Sequence, residues 1–317
     1  MKAFNHTNAK TLAEARTAIA GGKAALIAGG TDLIGTLKDN VVPQYPETLV
    51  NLKTVAPSLD YIKEETAGLR IGATTRLADI AAHPAINQKY TALAQAAFRV
   101  ATPHVRDMAT IGGNIAQLHR CWYFRKPENR FNCIRKGGTT CFAMTGDNRY
   151  HSIFGNVNKC IAVHPSDIAP ALIALNATVV TNTRKINAEN FFDVKVPGNT
   201  VLAAGEIITE IQVPTPPAGA RSAFLKFAIR KSIDFPIVNC AVMAGGGAPP
   251  RIALNAVAPK PYRAVKAEAA LAGKPVNEAT AEAAGAAAVE DARPLTATKY
   301  KVQIAKTLVK RALLATV

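Results

Sequence analysis

Two glycine pairs, the first directly after an apolar run, constrain this chain more than any other feature. Leu26, Ile27, Ala28, Gly29, Gly30, Thr31, Asp32 and Leu33 run in succession, placing two residues without a Cβ and one hydroxyl directly after the apolar stretch 24–28. Ala109-Thr110-Ile111-Gly112-Gly113-Asn114-Ile115 repeats the device about eighty residues later. A bend without Cβ atoms lets successive backbone N–H groups converge on an oxyanion. One such bend suits a phosphate, and two imply a long ligand that carries a diphosphate. Neither is a P-loop, because no Gly-Lys-Ser/Thr follows, and neither keeps the G-x-G-x-x-G spacing of a dinucleotide fold. Spacing alone leaves a plain tight turn equally open at each pair.

The segments around the bends alternate helix and strand. Helical spacing at 11–19, with Thr11 as cap, precedes a strand at 24–28. A strand at 69–72 and a helix at 75–82 follow, then a helix at 168–175 opened by Pro165, Ser166 and Asp167, and a strand at 178–181. Pro214, Pro216, Pro217 and Gly219 place a boundary near 213–220. Beyond it come strands at 238–243 and 251–257, Ala-rich helices at 264–271 and 278–289, and a basic amphipathic helix at 299–314. The 317 residues, 49% hydrophobic and 19% charged, fit two or three globular units. No window reaches the roughly eighteen consecutive apolar residues of a membrane span. The first residues hold no apolar signal region, so export needs a carrier.

Thirty-eight Lys and Arg against twenty-two Asp and Glu give a net charge of +16, which points to an anionic partner: a nucleic acid, a phosphate-bearing cofactor or an acidic protein. The excess is concentrated. Arg120, Arg125, Lys126, Arg130, Arg135, Lys136, Arg149 and Lys159 face only Glu128 and Asp147 within 118–163. That window also holds Cys121, Cys133, Cys141 and Cys160, whereas Cys240 lies in the apolar run 237–243 and reads as buried strand filling. Clustered thiols in a chain without a secretion signal favour metal ligation over a disulfide framework.

The motifs AGGTDL at 28–33, ATIGGNI at 109–115, SDIAPAL at 166–172 and KYKVQIAKTLVKRAL at 299–313, in that order, resemble the FAD-binding medium subunits of the xanthine dehydrogenase and aldehyde oxidoreductase family of molybdenum hydroxylases. The resemblance runs nearly end to end. It implies an α+β chain: an α/β FAD-binding domain of vanillyl-alcohol-oxidase/PCMH type over 1–215, with subdomains 1–55 and 56–215, then a small α+β domain over 216–317. By the same resemblance, Ala28 to Asp32 would wrap the FAD diphosphate, with Leu26, Ile27 and Leu33 beside it. Thr110, Gly113, Asn114 and Gln117 would hold its other side. Asp167 would bond the sugar or adenine end, Ile208 would pack on a ring, and Lys226 would stand near the isoalloxazine. The family's usual residues before ATIGGN are replaced here by His104, Val105, Arg106 and Asp107, so His104 reads as a satisfied structural histidine.

Between Gln117 and Ser166 lies an insert, 118–163, that most of the family lacks. Its C-x11-C-x7-C-x18-C pattern supplies the ligand number of a [4Fe–4S] cluster and departs from the short C-x2-C pairs of zinc modules, with zinc, disulfides and free thiols as alternatives. Trp122, Tyr123 and Phe124 would shield such a cluster or fill a small satellite core. The insert resembles that of 4-hydroxybenzoyl-CoA reductase and, more closely, that of the bacterial periplasmic aldehyde oxidoreductases. The implied role is electron transfer. Aldehyde is oxidised to carboxylic acid at a molybdenum cofactor in a large partner, and electrons cross two [2Fe–2S] clusters in a small partner to FAD here, in a heterotrimer. The basic insert would suit an acidic acceptor such as a ferredoxin, and the location implied is the periplasm, with the cytoplasm as alternative. Two rivals stand beside this: a self-sufficient flavin oxidase or reductase of the same fold, and a zinc-dependent nucleic-acid binder using the basic insert.

Overall fold

Among the described residues three sheets carry the chain, and the cleft of interest lies between the end of the first and the edge of the third. The structure is a computed structural model that describes residues 1–194 and 198–317. β1 (Asn5–Asn8), β2 (Ala24–Ile27) and β3 (Thr48–Asn51) form a parallel sheet in the order β1-β3-β2. Parallel strands need crossover connections: the helix Leu12–Ala20 links β1 to β2, and the segment holding the helix Leu33–Lys38 links β2 to its neighbour β3. The first helix is opened as expected by Thr11, whose hydroxyl accepts the Glu14 N–H at 3.1 Å.

β4 (Ile62–Glu65), β5 (Gly68–Gly72), β6 (Thr178–Thr181), β7 (Lys185–Asn187) and β8 (Ile208–Pro214) make an antiparallel sheet ordered β4-β5-β8-β6-β7. Its apolar face joins the helices Leu77–Ala82, Thr91–Phe98 and Ile168–Ala174 in the largest core. The chain passes to the third sheet between Pro214 and Ala220, where the proline-rich break was expected.

β9 (Ala220–Phe227), β10 (Val238–Gly245), β11 (Arg251–Asn255) and β12 (Tyr262–Arg263) form an antiparallel meander ordered β12-β11-β10-β9. β10 reads as a continuous apolar run because both of its faces are covered. Ala241 and Met243 enter the core under the second sheet, while Val238, Cys240, Val242 and Ala244 enter the one beneath the helices Val265–Leu271, Glu278–Ala288 and Tyr300–Leu314. Cys240 is strand filling, as its setting suggested. Among the described residues no helix is long and apolar enough to cross a membrane.

Candidate functional site: a cofactor cleft and a thiol lobe

The bend after β2 lies edge-on to the segment that leads into the second bend. A Cβ at Gly29 would fall 2.1 Å from the Met108 carbonyl oxygen, so only glycine lets these two stretches of main chain touch. Gly30 follows with φ +70°, the left-handed conformation that a Cβ disfavours. Among the described residues the N–H groups of Gly29, Gly30, Thr31 and Asp32 have no hydrogen-bond partner in the protein. Four consecutive donors in a bend form an anion-binding concavity.

The second bend was expected to repeat the device with Thr110 and Asn114 adding side-chain donors; its amides are engaged within the protein, which leaves the side-chain part. The Ile111 N–H donates to the Thr75 carbonyl and the Gly112 N–H to the Ala73 carbonyl, both at 3.0 Å, while the Asn114 N–H donates to the Thr110 carbonyl at 2.8 Å. The Gly113 N–H donates to Thr110 Oγ1 at 3.3 Å. With its amides engaged, this bend offers side chains instead. Asn114 Oδ1 accepts from Ser166 Oγ at 2.5 Å, and Ser166 Oγ accepts the Ala169 N–H at 3.0 Å, which fixes the Asn114 amide against the start of the helix Ile168–Ala174. Gln117 Nε2 donates to the Asn114 carbonyl at 2.8 Å.

Between the bends runs a cleft with two arms. One is lined by Leu26, Ile27, Ala28, the bend Gly29 to Leu33, Thr110, Gly113 and Gln117, the other by Asn114, Arg120, Asp167, Lys226 and Phe235, with Thr31, Asp32, Gly113 and Gln117 shared.

Three of the expected contacts change. Asp32 turns its carboxylate to the insert: Oδ1 accepts from Arg120 at 2.6 Å and Arg125 at 2.8 Å, and Oδ2 accepts the Leu118 N–H at 2.9 Å. Burial pushes this carboxyl upward, but Arg125 and Arg120 outweigh it and hold it below the usual range. Asp167 and Lys226, assigned above to opposite ends of a long cofactor, pair with each other at 2.7 Å, so both serve one arm. Ile208 lines neither arm: it opens β8 opposite Thr181 and is buried in the core. His104 is exposed on the helix Pro103–Met108 rather than a satisfied core residue, and Asp107 is exposed beside it.

The insert has little regular structure beyond the short helix Trp122–Arg125 and two single turns. Its four cysteines line one small enclosed pocket, with Cys121, Cys133 and Cys160 buried and Cys141 half-buried. Phe124, Val41 and Ala162 pack around them, while Trp122 turns outward to Tyr150 and donates to the Asp147 carbonyl at 2.8 Å. Among the described residues no three His, Cys, Asp or Glu side chains approach closely enough to hold a single metal ion. A tetrahedral zinc with sulfurs at about 2.3 Å needs its thiolates about 4 Å apart.

His151 Nε2 lies 3.2 Å from Cys121 Sγ, and the Ala162 N–H points at Cys160 Sγ at 3.4 Å. Lys136 is buried, its ammonium has no hydrogen-bond partner, and its nearest charge partners are Cys133 and Cys121. Half of the basic side chains of the insert are therefore turned inward. Arg120 and Arg125 hold Asp32, and Arg135 and Lys136 are buried against the thiols, which removes half of the face expected to dock an acidic acceptor.

Residues 2–216 match the family described as "FAD binding domain in molybdopterin dehydrogenase", and 223–316 match the "CO dehydrogenase flavoprotein C-terminal domain". The chain belongs to the FAD-binding subunits of the molybdenum hydroxylases. It is 36% identical over 283 residues to the aldehyde oxidoreductase FAD-binding subunit PaoB of Escherichia coli, covering 86% of each chain. To the carbon monoxide dehydrogenase medium chain of Hydrogenophaga pseudoflava it is 29% identical, covering 92% of this chain and 89% of that one. A solved structure of carbon monoxide dehydrogenase from that organism, lacking the Mo-pyranopterin moiety, superposes with a TM-score of 0.76 at 28% identity over 99% of this chain and 97% of that chain.

For an FAD-binding subunit the cleft has suitable chemistry: four free amides, a Cβ-free approach at Gly29 and a wall of hydrogen-bonding side chains. Sequence reasoning missed Arg120, Val100, Ala101 and Phe235, all of which line the cleft. Arg120 carried a usable signal, a cation three residues after Gln117. The Phe235 segment carried none, since the strand order of the third sheet brings it there.

Proposed function

We propose that this chain is the electron-transfer subunit of a molybdenum-dependent aldehyde oxidoreductase, in which a large partner oxidises aldehyde to carboxylic acid at a molybdenum cofactor. A small partner with two [2Fe–2S] clusters delivers the electrons to FAD in the cleft described above, and they leave to an external acceptor. The observation that carries this reading is the row of unpartnered amides from Gly29 to Asp32 facing Thr110, Asn114 and Gln117 across the cleft. FAD, when bound, supplies the exchange between one-electron relays and a two-electron couple.

The chain's own residues position and insulate. The amides of Gly29 to Asp32 donate to the diphosphate, Leu26 and Ile27 keep its strand-side edge dry, and Asn114 and Gln117 close the opposite side. Lys226, neutralised by Asp167, stands at the far arm. The division at 216, the heterotrimer and a periplasmic location reached through a signal-bearing partner belong to the same reading.

We extend it to an iron–sulfur cluster held by Cys121, Cys133, Cys141 and Cys160. Four thiols lining one small pocket match the ligand number of a [4Fe–4S] centre. A buried ammonium without a partner is costly, and thiolates bearing a cluster would give Lys136 its counter-charge. The test is flavin, iron and labile-sulfide analysis of the purified protein and of Cys133→Ser. The variant should lose iron and sulfide and keep FAD. A colourless wild type that takes up neither group on reconstitution overturns the proposal, and iron retained by the variant removes Cys133 from the ligand set.

A further inference from the structure

The bend that offers four amides to a diphosphate ends in a carboxylate. Asp32 belongs to both arms of the cleft, and an ionised carboxylate in that wall repels a phosphate. Two cations reach it, and both come from the insert. Arg125 is pinned: its guanidinium donates to the carbonyls of His119 at 2.9 Å and Leu118 at 2.8 Å and to Thr36 Oγ1 at 3.0 Å, besides holding Asp32. Arg120 holds the same Oδ1 at 2.6 Å, lies 4.4 Å from the Phe235 ring centre, and keeps a buried Nε without a partner. The three side chains together carry one positive charge where Asp32 alone would carry one negative.

We propose that Arg120 and Arg125 are positioning residues for the flavin diphosphate and act through Asp32, so that the insert, besides housing the thiols, converts the cradle from anion-repelling to anion-accepting. The inference rests on the reading of the cleft as an FAD site. It makes cofactor affinity a property of two distant segments: the bend supplies donors, and the insert supplies the charge balance that lets them be used. Removing the arginines harms binding because Asp32 is left behind, and removing Asp32 as well therefore repairs the harm. A direct contact from either arginine to the ligand, or a purely structural role in seating the insert, predicts no such repair.

The test is FAD titration of the full apo-chain, followed by quenching of flavin fluorescence, with thermal melts to establish folding. Arg120→Ala/Arg125→Ala should weaken FAD binding at least tenfold, and the triple variant that adds Asp32→Asn should regain most of that loss. Should the double variant fail to fold, Arg120→Ala carries the test. It should weaken binding at least threefold, Arg120→Lys should not, and Asp32→Asn/Arg120→Ala should restore it. A triple or paired variant as weak as its arginine parent overturns the inference, as do arginine variants that bind like wild type. A folded wild-type chain that takes up no FAD overturns the flavin reading and this inference with it.

Discussion

Asp167 and Lys226 form an ion pair sealed from water where the second and third sheets meet. Nζ lies 2.7 Å from Oδ2, and the two side chains keep only 5% and 3% of their exposure. Asn239, opposite Lys226 in the β9–β10 register, donates to the other carboxylate oxygen at 2.7 Å, and the Arg99 carbonyl accepts from Lys226 at 3.0 Å. Burial pushes the Asp167 carboxyl above its usual range, against the pull of Lys226 and Asn239.

Removing one partner leaves the other charge buried alone, which costs about 3–5 kcal/mol, whereas removing both charges leaves none. Lys226→Met should therefore lower the melting temperature of the apo-chain steeply, and Asp167→Asn/Lys226→Met should regain most of the loss. Equal melting of the single and double variants would show that a lone Asp167 charge costs nothing there.

The contact at Gly29 sets up a comparison between two glycines on the same stretch of chain. Gly29→Ala would drive a Cβ into the Met108 carbonyl, so it should both destabilise the fold and abolish FAD uptake. Gly35, inside the helix Leu33–Lys38, has open space around its missing Cβ, and alanine there should stabilise by up to about 1 kcal/mol. Flavin content and melting curves of the two variants decide the matter, and normal flavin content in Gly29→Ala would remove the close approach from the account.

Glu206 gives an acid-side signature. Its hydrogen bonds from Arg184, at 2.8 and 3.0 Å, hold the carboxyl at about 2 against the opposing effect of burial, with further help from the Ala203 N–H and the hydroxyls of Thr181 and Thr183. A carboxyl lowered on folding contributes stability that is complete above its ordinary value of 4.5 and lost as pH falls toward 2. Glu206→Gln should lose about 1–3 kcal/mol at neutral pH, and the gap to wild type should close over that acid window in denaturant titrations.

Lys301 gives a signature of the same sign on the alkaline side. Its ammonium is fully buried, donating to the carbonyls of His151 at 2.9 Å, Ala256 at 2.5 Å and Tyr150 at 3.5 Å, and burial brings it from 10.5 down to about 7. Between those values the unfolded chain holds the extra proton, so stability rises with pH. Wild type should gain about 2 kcal/mol on Lys301→Met between pH 7 and 9. A constant difference across that range would show that the lysine titrates normally.

Much of this fold was legible because the relevant forces act locally. The hydroxyl of Thr11, the apolar period of the helix Tyr300–Leu314 and the proline-rich break before β9 each act over a few residues. The two glycine bends were found for the same reason. Their difference was not, because whether an amide is free depends on partners far along the chain: those of the second bend go to Ala73 and Thr75, some forty residues earlier. The pairing of Lys226 with Asp167 likewise follows from strand register, and the inward turn of the insert's arginines follows from where Asp32 lies. Composition counted those charges correctly and could not say which way they face.

Main chain lying on main chain at Gly29 and Met108 has an evolutionary corollary. The width of the slot beside these peptide groups is set by main chain rather than by side chains, so it passes unchanged to any descendant that keeps this architecture and a glycine at position 29. Diversification of what the slot accepts has to come from its replaceable ends, the segment carrying Phe235 and the one carrying Arg120, which is where divergence among related chains should accumulate.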